Sequence, residues 1–122
     1  MPERSTSQVT TTKLDDGLLL VRVSGSLDAA SHRPIAAELD ALFEPHPTSI
    51  VLDLRDVDFM GSAGIALLIN ARHRAGRLGT PFAVVADNRS VLRPLQVSQV
   101  DGAIGLHATV DEAIAAVRLV ST

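Results

Sequence analysis

The residues best placed to do chemistry lie in one segment, Asp56-Val57-Asp58-Phe59-Met60-Gly61-Ser62-Ala63-Gly64-Ile65. The segment follows Ile50–Leu54, an apolar run typical of a buried strand, and precedes a stretch with helical spacing of apolar residues. Open α/β sheets bind ligands beyond the carboxyl ends of their strands, so a site is expected here. Ser62 carries the only hydroxyl in the segment. Its simplest structural role would be a helix N-cap or a first-turn residue.

Catalysis by Ser62 is not favoured by its surroundings. The nucleophile elbow of serine hydrolases requires glycine two positions before the serine, and this chain has Met60 there. His73 and His107 follow the serine without a recognisable triad context. No Gly-Lys-Ser/Thr follows Gly61, which excludes a phosphate-binding P-loop. We therefore expect no catalytic residue, and a small serine hydrolase is only a distant alternative.

Metal, cofactor and nucleic-acid sites are not expected either. The chain has no Cys, and its four His are scattered without ligand spacing. An aromatic content of 2% and a formal charge of −3 provide neither a stacking platform nor a basic surface for nucleic acid. No apolar run is long enough to span a membrane, and residues 1–7 lack the apolar core of a secretion signal. The composition predicts a cytoplasmic protein with no metal, no cofactor and no direct membrane insertion.

The strands that would position Ser62 are short and bounded by turn residues. We expect an antiparallel pair formed by Val9–Lys13 and Leu18–Val23, with Gly25 ending the second strand. Further strands are expected at Ile50–Leu54, Pro81–Ala86 and Ile104–His107. Asp56–Gly61 is expected to be a loop.

Four helices are expected between and after these strands. The first has Ser31 as N-cap, Pro34 in its first turn, and an apolar stripe made by Ile35, Leu39, Leu42 and Phe43. The second covers about Ser62–Arg74 and packs through Ile65, Leu68 and Ile69. The third is capped by Asn88 and is short or kinked because of Pro94, and the fourth is capped by Thr109.

This order of elements predicts the fold class. Strands alternating with helices are typical of an α/β domain with a mostly parallel sheet, here of four to five strands with an antiparallel N-terminal edge. The length of 122 residues allows one domain, expected at residues 9–120 after a flexible N-terminus at 1–8.

Two motifs resemble those of the STAS-domain anti-sigma factor antagonists. Ile50–Ile69 has the order strand, loop, Phe-Met-x-Ser-x-Gly and helix, which resembles the family's signature. Gly25-Ser26-Leu27-Asp28, followed by Ser31 and a helix, resembles the family's upstream Gly-x-Leu-Asp motif. The resemblance extends over about residues 8–118 and implies a single STAS-like domain.

The resemblance implies a non-enzymatic bacterial regulator that works by partner switching. Unphosphorylated, such a protein binds an anti-sigma factor that is also a GHKL-type serine kinase, and sigma is released. Phosphorylation of the acceptor serine, Ser62 by motif position, ends the interaction, and a phosphatase would reset it. Gly64 matches the glycine that lets the helix start close to the sheet. The implied partner-binding residues are Asp28, Ser31, Gly61, Ser62, Ala63 and Gly64.

Two positions depart from the family's pattern. The family usually has Asp immediately before the acceptor serine, where this chain has Gly61, and often has a second hydroxyl after it, where this chain has Ala63. The first departure removes a carboxylate that would cap the helix or contact the kinase. The departures keep an alternative open, in which the chain is a STAS accessory subunit of a lipid or anion transport system and works without phosphorylation.

Overall fold

The fold is described by a computed structural model that covers residues 7–28, 32–100, 102 and 104–121. These residues form five strands and four helices: β1 (Gln8–Lys13), β2 (Leu18–Leu27), α1 (His32–Leu42), β3 (Ser49–Met60), α2 (Ser62–Leu78), β4 (Phe82–Val85), α3 (Arg89–Val97), β5 (Leu106–His107) and α4 (Val110–Ser121). The sheet has the order β1-β2-β3-β4-β5. Only β1 runs antiparallel to its neighbour, while β2 through β5 are parallel. The predicted fold class is confirmed.

The core lies on both faces of the sheet because the side chains of β3 alternate between them. Ile50, Leu52 and Leu54 pack with buried residues of α1, α2 and α3. Val51 faces the other way and packs with Ala113 and Val117 of α4. Three helices therefore cover one face and α4 covers the other.

The predicted contact residues of α1 and α2 largely lie in this core. Ile35, Leu39 and Phe43 are buried, and Leu68 has an exposed fraction of 0%. Ile65 and Leu42 are partly buried against the same cluster. Ile69 is only half-buried, and its predicted place is taken by Leu67, which is 5% exposed.

Two boundaries around the expected site differ from the prediction. Gly25 does not end β2, which continues to Leu27, because glycine accepts the φ of +88° found there. Asp56–Gly61 is not a loop, since β3 extends through Met60 by pairing with β2. The two strands keep this pairing by shifting register at two points, so polar residues that favour turns are held in an extended ladder.

The helix ends and the N-terminal segment agree with the sequence-based predictions only in part. Thr109 caps α4 as predicted, since its hydroxyl accepts the Glu112 N–H at 3.1 Å. Helix α2 continues past Arg74 to Leu78 and ends at Gly79, which has the left-handed φ of +69°. Of the N-terminal segment 1–8, residues 1–6 lie outside the described residues, and Gln8 is the first residue of β1. None of the helices in the described part of the chain has the length and hydrophobicity that a membrane-spanning segment requires.

Candidate functional site

The segment around Ser62 is a corner formed by the ends of two strands and the start of α2. Leu27, the last residue of β2, pairs with Met60, the last residue of β3. The Gly61 N–H then donates to the Leu27 carbonyl oxygen at 2.9 Å. This bond continues the strand pairing into the helix start, so the two motifs found in the sequence meet in space. Asp28 follows Leu27 directly and is half-buried beside this corner.

Gly64 allows α2 to lie directly on the end of β2. A Cβ atom at this position would be 2.9 Å from both the Leu27 carbonyl oxygen and the Leu27 Cβ, and 3.1 Å from the Met60 Cγ. All three separations are shorter than van der Waals contact, and the first involves backbone that has little freedom to move. The glycine is therefore needed for the close approach of helix and sheet.

Gly61 and Ser62 give α2 an uncapped N-terminus. Gly61 is the N-cap residue, with extended backbone at φ −93° and ψ −174°, and no side chain caps the first turn. Ser62 is the first helical residue and is exposed. Among the described residues its hydroxyl has no hydrogen-bond partner. Of the two simple roles that the sequence left open, Ser62 has the second, a first-turn position without a capping bond.

Ala63 joins this corner to a groove between α1 and α2. The groove has a volume of about 250 Å³ and lies next to Ser62 along the helix. Its lining is mostly small and apolar, with Asp40 and Asn70 adding polar groups: Ala36, Leu39, Asp40, Ala63, Ala66, Leu67, Asn70 and Ala71. The small side chains leave room for a side chain from another molecule.

The end of β3 that leads to Ser62 carries an exposed aromatic ring and an exposed carboxylate. Phe59 is 53% exposed although it is one of only three aromatic residues in the chain. Asp58 is exposed, and its Oδ1 accepts a hydrogen bond from the Ser26 hydroxyl at 3.3 Å. An exposed ring of this size is typical of a protein-binding surface. The sequence did not predict this exposure, because apolar residues in a short motif look the same whether buried or exposed.

Ser31, which the family resemblance places among the partner-binding residues, lies outside the described residues. The structure therefore brings together Asp28, Gly61, Ser62, Ala63 and Gly64 from that set.

Asp53 is a buried acidic residue within β3, and it belongs to a structural ion cluster. Its side chain is 2% exposed and bonds to Arg22 at 3.3 Å and to Arg55 at 2.9 Å. Burial by itself raises the pKa of this carboxyl, but the hydrogen bonds from Arg55 and Arg22 outweigh it and hold the pKa below its usual value. The carboxylate is thus ionised and fully engaged, and it is unsuited to proton transfer near neutral pH.

Asn88 and Ser90, at the start of α3, bond to the part of β3 that leads to the site, and sequence reasoning missed this. The Asn88 Nδ2 lies 2.7 Å from the Val57 carbonyl oxygen and 3.2 Å from that of Leu54. The Ser90 hydroxyl donates to the same Val57 oxygen at 2.6 Å. Asn88 does occupy the predicted N-cap position of α3, but its side chain makes no capping bond, so the predicted capping role is wrong.

Within the described ranges, no group of three or more His, Cys, Asp and Glu side chains is arranged to bind a metal ion.

Comparison with known proteins agrees with the resemblance seen in the motifs. The STAS domain family model matches residues 10–113. A curated relative, the anti-sigma-F factor antagonist RsfB of Mycobacterium tuberculosis, is 27% identical over 111 residues, which is 90% of each chain. The crystal structure of an anti-sigma factor antagonist from Mycobacterium paratuberculosis superposes with a TM-score of 0.86 at 30% identity, covering 93% of this chain and 95% of the other. The murine anion transporter Slc26a9 shares the fold alone, with a TM-score of 0.75 at 13% identity over 94% of this chain and 22% of the transporter.

Proposed function

The chain belongs to the STAS domain family, and we propose on that basis that it is an anti-sigma factor antagonist acting by partner switching. Unphosphorylated, it binds an anti-sigma factor through the corner formed by Leu27, Asp28 and Gly61–Gly64. Phosphorylation of Ser62 then releases the partner. The observation that carries the proposal is the Ser62 hydroxyl, which is exposed at the first position of α2 and has no hydrogen-bond partner within the described part of the chain.

The surface around Ser62 has the features of a docking site. Phe59 offers an exposed ring in the last part of β3, two residues before Gly61, and the groove between α1 and α2 begins at Ala63, the residue after Ser62. Interfaces gain most of their affinity where an aromatic or aliphatic anchor fills a pocket, and this surface provides one of each. A partner covering both features would bury Ser62 between them.

Phosphorylation of Ser62 is expected to disturb the free domain little. The N-terminal N–H groups and the dipole of a helix favour negative charge, and α2 has no acidic residue in its first turn. The added phosphate carries a charge of about −1.5 to −2. The fold itself therefore tolerates the modification.

The charge of the phosphate is expected to weaken the complex with the partner strongly. Asp28, Asp56 and Asp58 lie in the two sequence segments that meet at the corner, 25–28 and 56–65, and neither segment contains Lys, Arg or His. Burying an uncompensated phosphate under a partner costs several kcal/mol, whereas a 100-fold loss of affinity requires only about 2.7 kcal/mol. Charge at one residue is sufficient, and no large conformational change is required.

The partner that best fits this scheme is an anti-sigma factor that is also a GHKL-type serine kinase, encoded in the same genome and present in the bacterial cytoplasm. A phosphatase acting on Ser62 would restore binding. Anti-sigma factor antagonists of this family are regulators without catalytic activity, so the kinase activity belongs to the partner.

The proposal is tested by incubating the protein with the candidate kinase and Mg·ATP and measuring intact mass and partner affinity. The wild-type protein should gain one phosphate and Ser62→Ala none, while Ser62→Ala keeps full affinity for the partner. Ser98→Ala is the matched control, since Ser98 is also exposed at a helix end but lies at the C-cap of α3. It should be phosphorylated like the wild type.

Ser62→Asp separates charge from the loss of the hydroxyl. An acidic residue in the first turn suits the helix dipole, so this variant should fold normally. It should bind the partner more weakly than Ser62→Ala, although one carboxylate carries only about half the charge of a phosphate. Phosphate on another residue, or equal affinity of all three proteins, would instead favour the STAS accessory role in lipid or anion transport.

A further inference from the structure

Strand β3 loses its partner on one side before it reaches the site. Its pairing with β4 runs from Ile50 to Asp53, where β4 reaches Val85 and ends. Among the strands of the described residues, only β2 pairs with β3 beyond Asp53, and that ladder is interrupted by two register shifts. The end of β3 that leads into Ser62 would therefore be the weakest part of the sheet, since its carbonyl groups on the β4 side have no strand to bind.

Side chains from the start of α3 take the place of the missing strand. The Asn88 Nδ2 donates toward the carbonyl oxygens of Leu54 and Val57, at 3.2 and 2.7 Å. The Ser90 hydroxyl donates to the Val57 oxygen at 2.6 Å and lies 3.1 Å from the Asn88 Nδ2, which ties the two side chains together. We refer to Asn88 and Ser90 as the α3 clamp.

The α3 clamp is not the arrangement that would make α3 itself most stable. An asparagine at the N-cap position usually accepts a hydrogen bond from the first turn of its own helix, and here it makes none. The Asn88 Oδ1 is also buried without a hydrogen-bond partner in the described structure. The missing capping bond and the unpartnered Oδ1 are both unfavourable for α3. They indicate that the Asn88 side chain is placed to stabilise another part of the molecule.

We propose that Asn88 and Ser90 are positioning residues for the Ser62 corner, acting through the carbonyl groups of Leu54 and Val57. By fixing β3 on its unpaired side, the α3 clamp holds Met60 in register with Leu27 and keeps the Gly61 N–H on the Leu27 carbonyl oxygen. The partner then meets Ser62 and Phe59 in one preorganised arrangement. The expected effect of the α3 clamp on partner affinity rests on the function proposed above. Its expected effect on the order of the Ser62 corner does not.

Amide hydrogen exchange tests the local effect without any partner. Asn88→Ala should lower the protection of the Gly61 amide at least ten-fold more than that of Val21, which lies in the middle of β2. Thr109→Ala is the matched control, because it also removes a hydrogen-bonding side chain at a helix start, but on the opposite face of the sheet. It should change the two amides by the same factor.

Ser90→Ala keeps the test decisive if Asn88→Ala does not fold, since it removes a single hydrogen bond to Val57. Equal factors at Gly61 and Val21 in both clamp variants would show that Asn88 and Ser90 only stabilise the fold, and would overturn the proposal. A second measurement is the affinity of the unphosphorylated proteins for the anti-sigma factor, expected to fall at least five-fold in a clamp variant relative to Thr109→Ala. If the Gly61 amide loses protection but the affinity does not change, the structural role of the α3 clamp is supported and the proposed binding surface is contradicted.

Discussion

Replacing Gly64 by alanine tests how closely α2 must approach the sheet, and the chain provides its own control. The new Cβ would lie 2.9 Å from the Leu27 carbonyl oxygen, so α2 or β2 must move. Overpacking of this kind costs about 1–3 kcal/mol. Against it stands the higher helix propensity of alanine, which contributes about 1 kcal/mol. Gly64→Ala should therefore lower the free energy of unfolding by up to about 2 kcal/mol.

Gly76 lies in the same helix and is exposed, and beyond its chain neighbours and its own helix backbone no atom of the described residues lies within 4 Å of the Cβ it would gain. Gly76→Ala keeps the gain in propensity without the clash, so it should stabilise the protein by up to about 1 kcal/mol. Because the propensity difference is common to both variants, the gap between them isolates the steric cost of about 1–3 kcal/mol. Urea unfolding of the wild type and the two variants measures this gap. If Gly64→Ala is as stable as Gly76→Ala, the helix start does not need its close contact with Leu27.

Three further predictions concern the corner, the ion cluster and the core. Gly61→Asp should fit, because the new Cβ would be 3.4 Å from the Phe59 ring. As an N-cap the aspartate should raise the free energy of unfolding by about 0.5 kcal/mol, and it should increase the rate of phosphorylation by the kinase. An unchanged rate would show that the kinase does not recognise this residue. Asp53→Asn should lower the free energy of unfolding by about 1.5–3 kcal/mol at pH 7. Since the folded pKa of Asp53 is lowered, its carboxylate stabilises the protein above the unfolded pKa of about 3.9, and this stabilisation disappears as the pH falls through the folded pKa. If urea unfolding gives the same difference between the two proteins at every pH, the ion cluster is contradicted. Leu68→Ala should lower the free energy of unfolding by about 2–5 kcal/mol in the same assay, because Leu68 is fully buried. A loss too small to measure would show that a different face of α2 lies in the core.

The fold was predictable where local pattern and long-range packing agree. The run Ile50–Leu54 is short and mostly apolar, as a buried strand is, and Ile35 and Leu39 have helical spacing. Both sets of side chains are buried in the same core, so local pattern and packing agree. Thr109 was also predictable, since an N-cap acts on a residue three positions away.

The errors occur where a distant segment overrides local preference. The segment Asp56–Met60 contains two aspartates, a residue type that is depleted in strands, yet pairing with β2 holds it in a strand. The Asn88 side chain bonds to Val57, 31 residues earlier, instead of to its own helix. Periodicity and capping rules describe near neighbours, so they carry no information on such contacts.

Within the site, the sequence located Ser62 and the glycines but not their surroundings. Motif position singles out Ser62, whose role as phosphoacceptor stays a prediction, and the closeness of Gly64 to Leu27 gives a physical reason for a glycine there. The groove beside Ala63 and the exposure of Phe59 depend on how α1 and β3 meet α2, which no single segment encodes.

The central claim is that one phosphate on Ser62 decides whether the partner binds. Its most direct test is the dissociation constant of the purified anti-sigma factor for the same wild-type protein before and after stoichiometric phosphorylation at Ser62, measured by calorimetry at one ionic strength. The account predicts a loss of affinity of at least about 100-fold, which corresponds to about 2.7 kcal/mol, with the domain itself still folded. Equal dissociation constants for the two forms would contradict it.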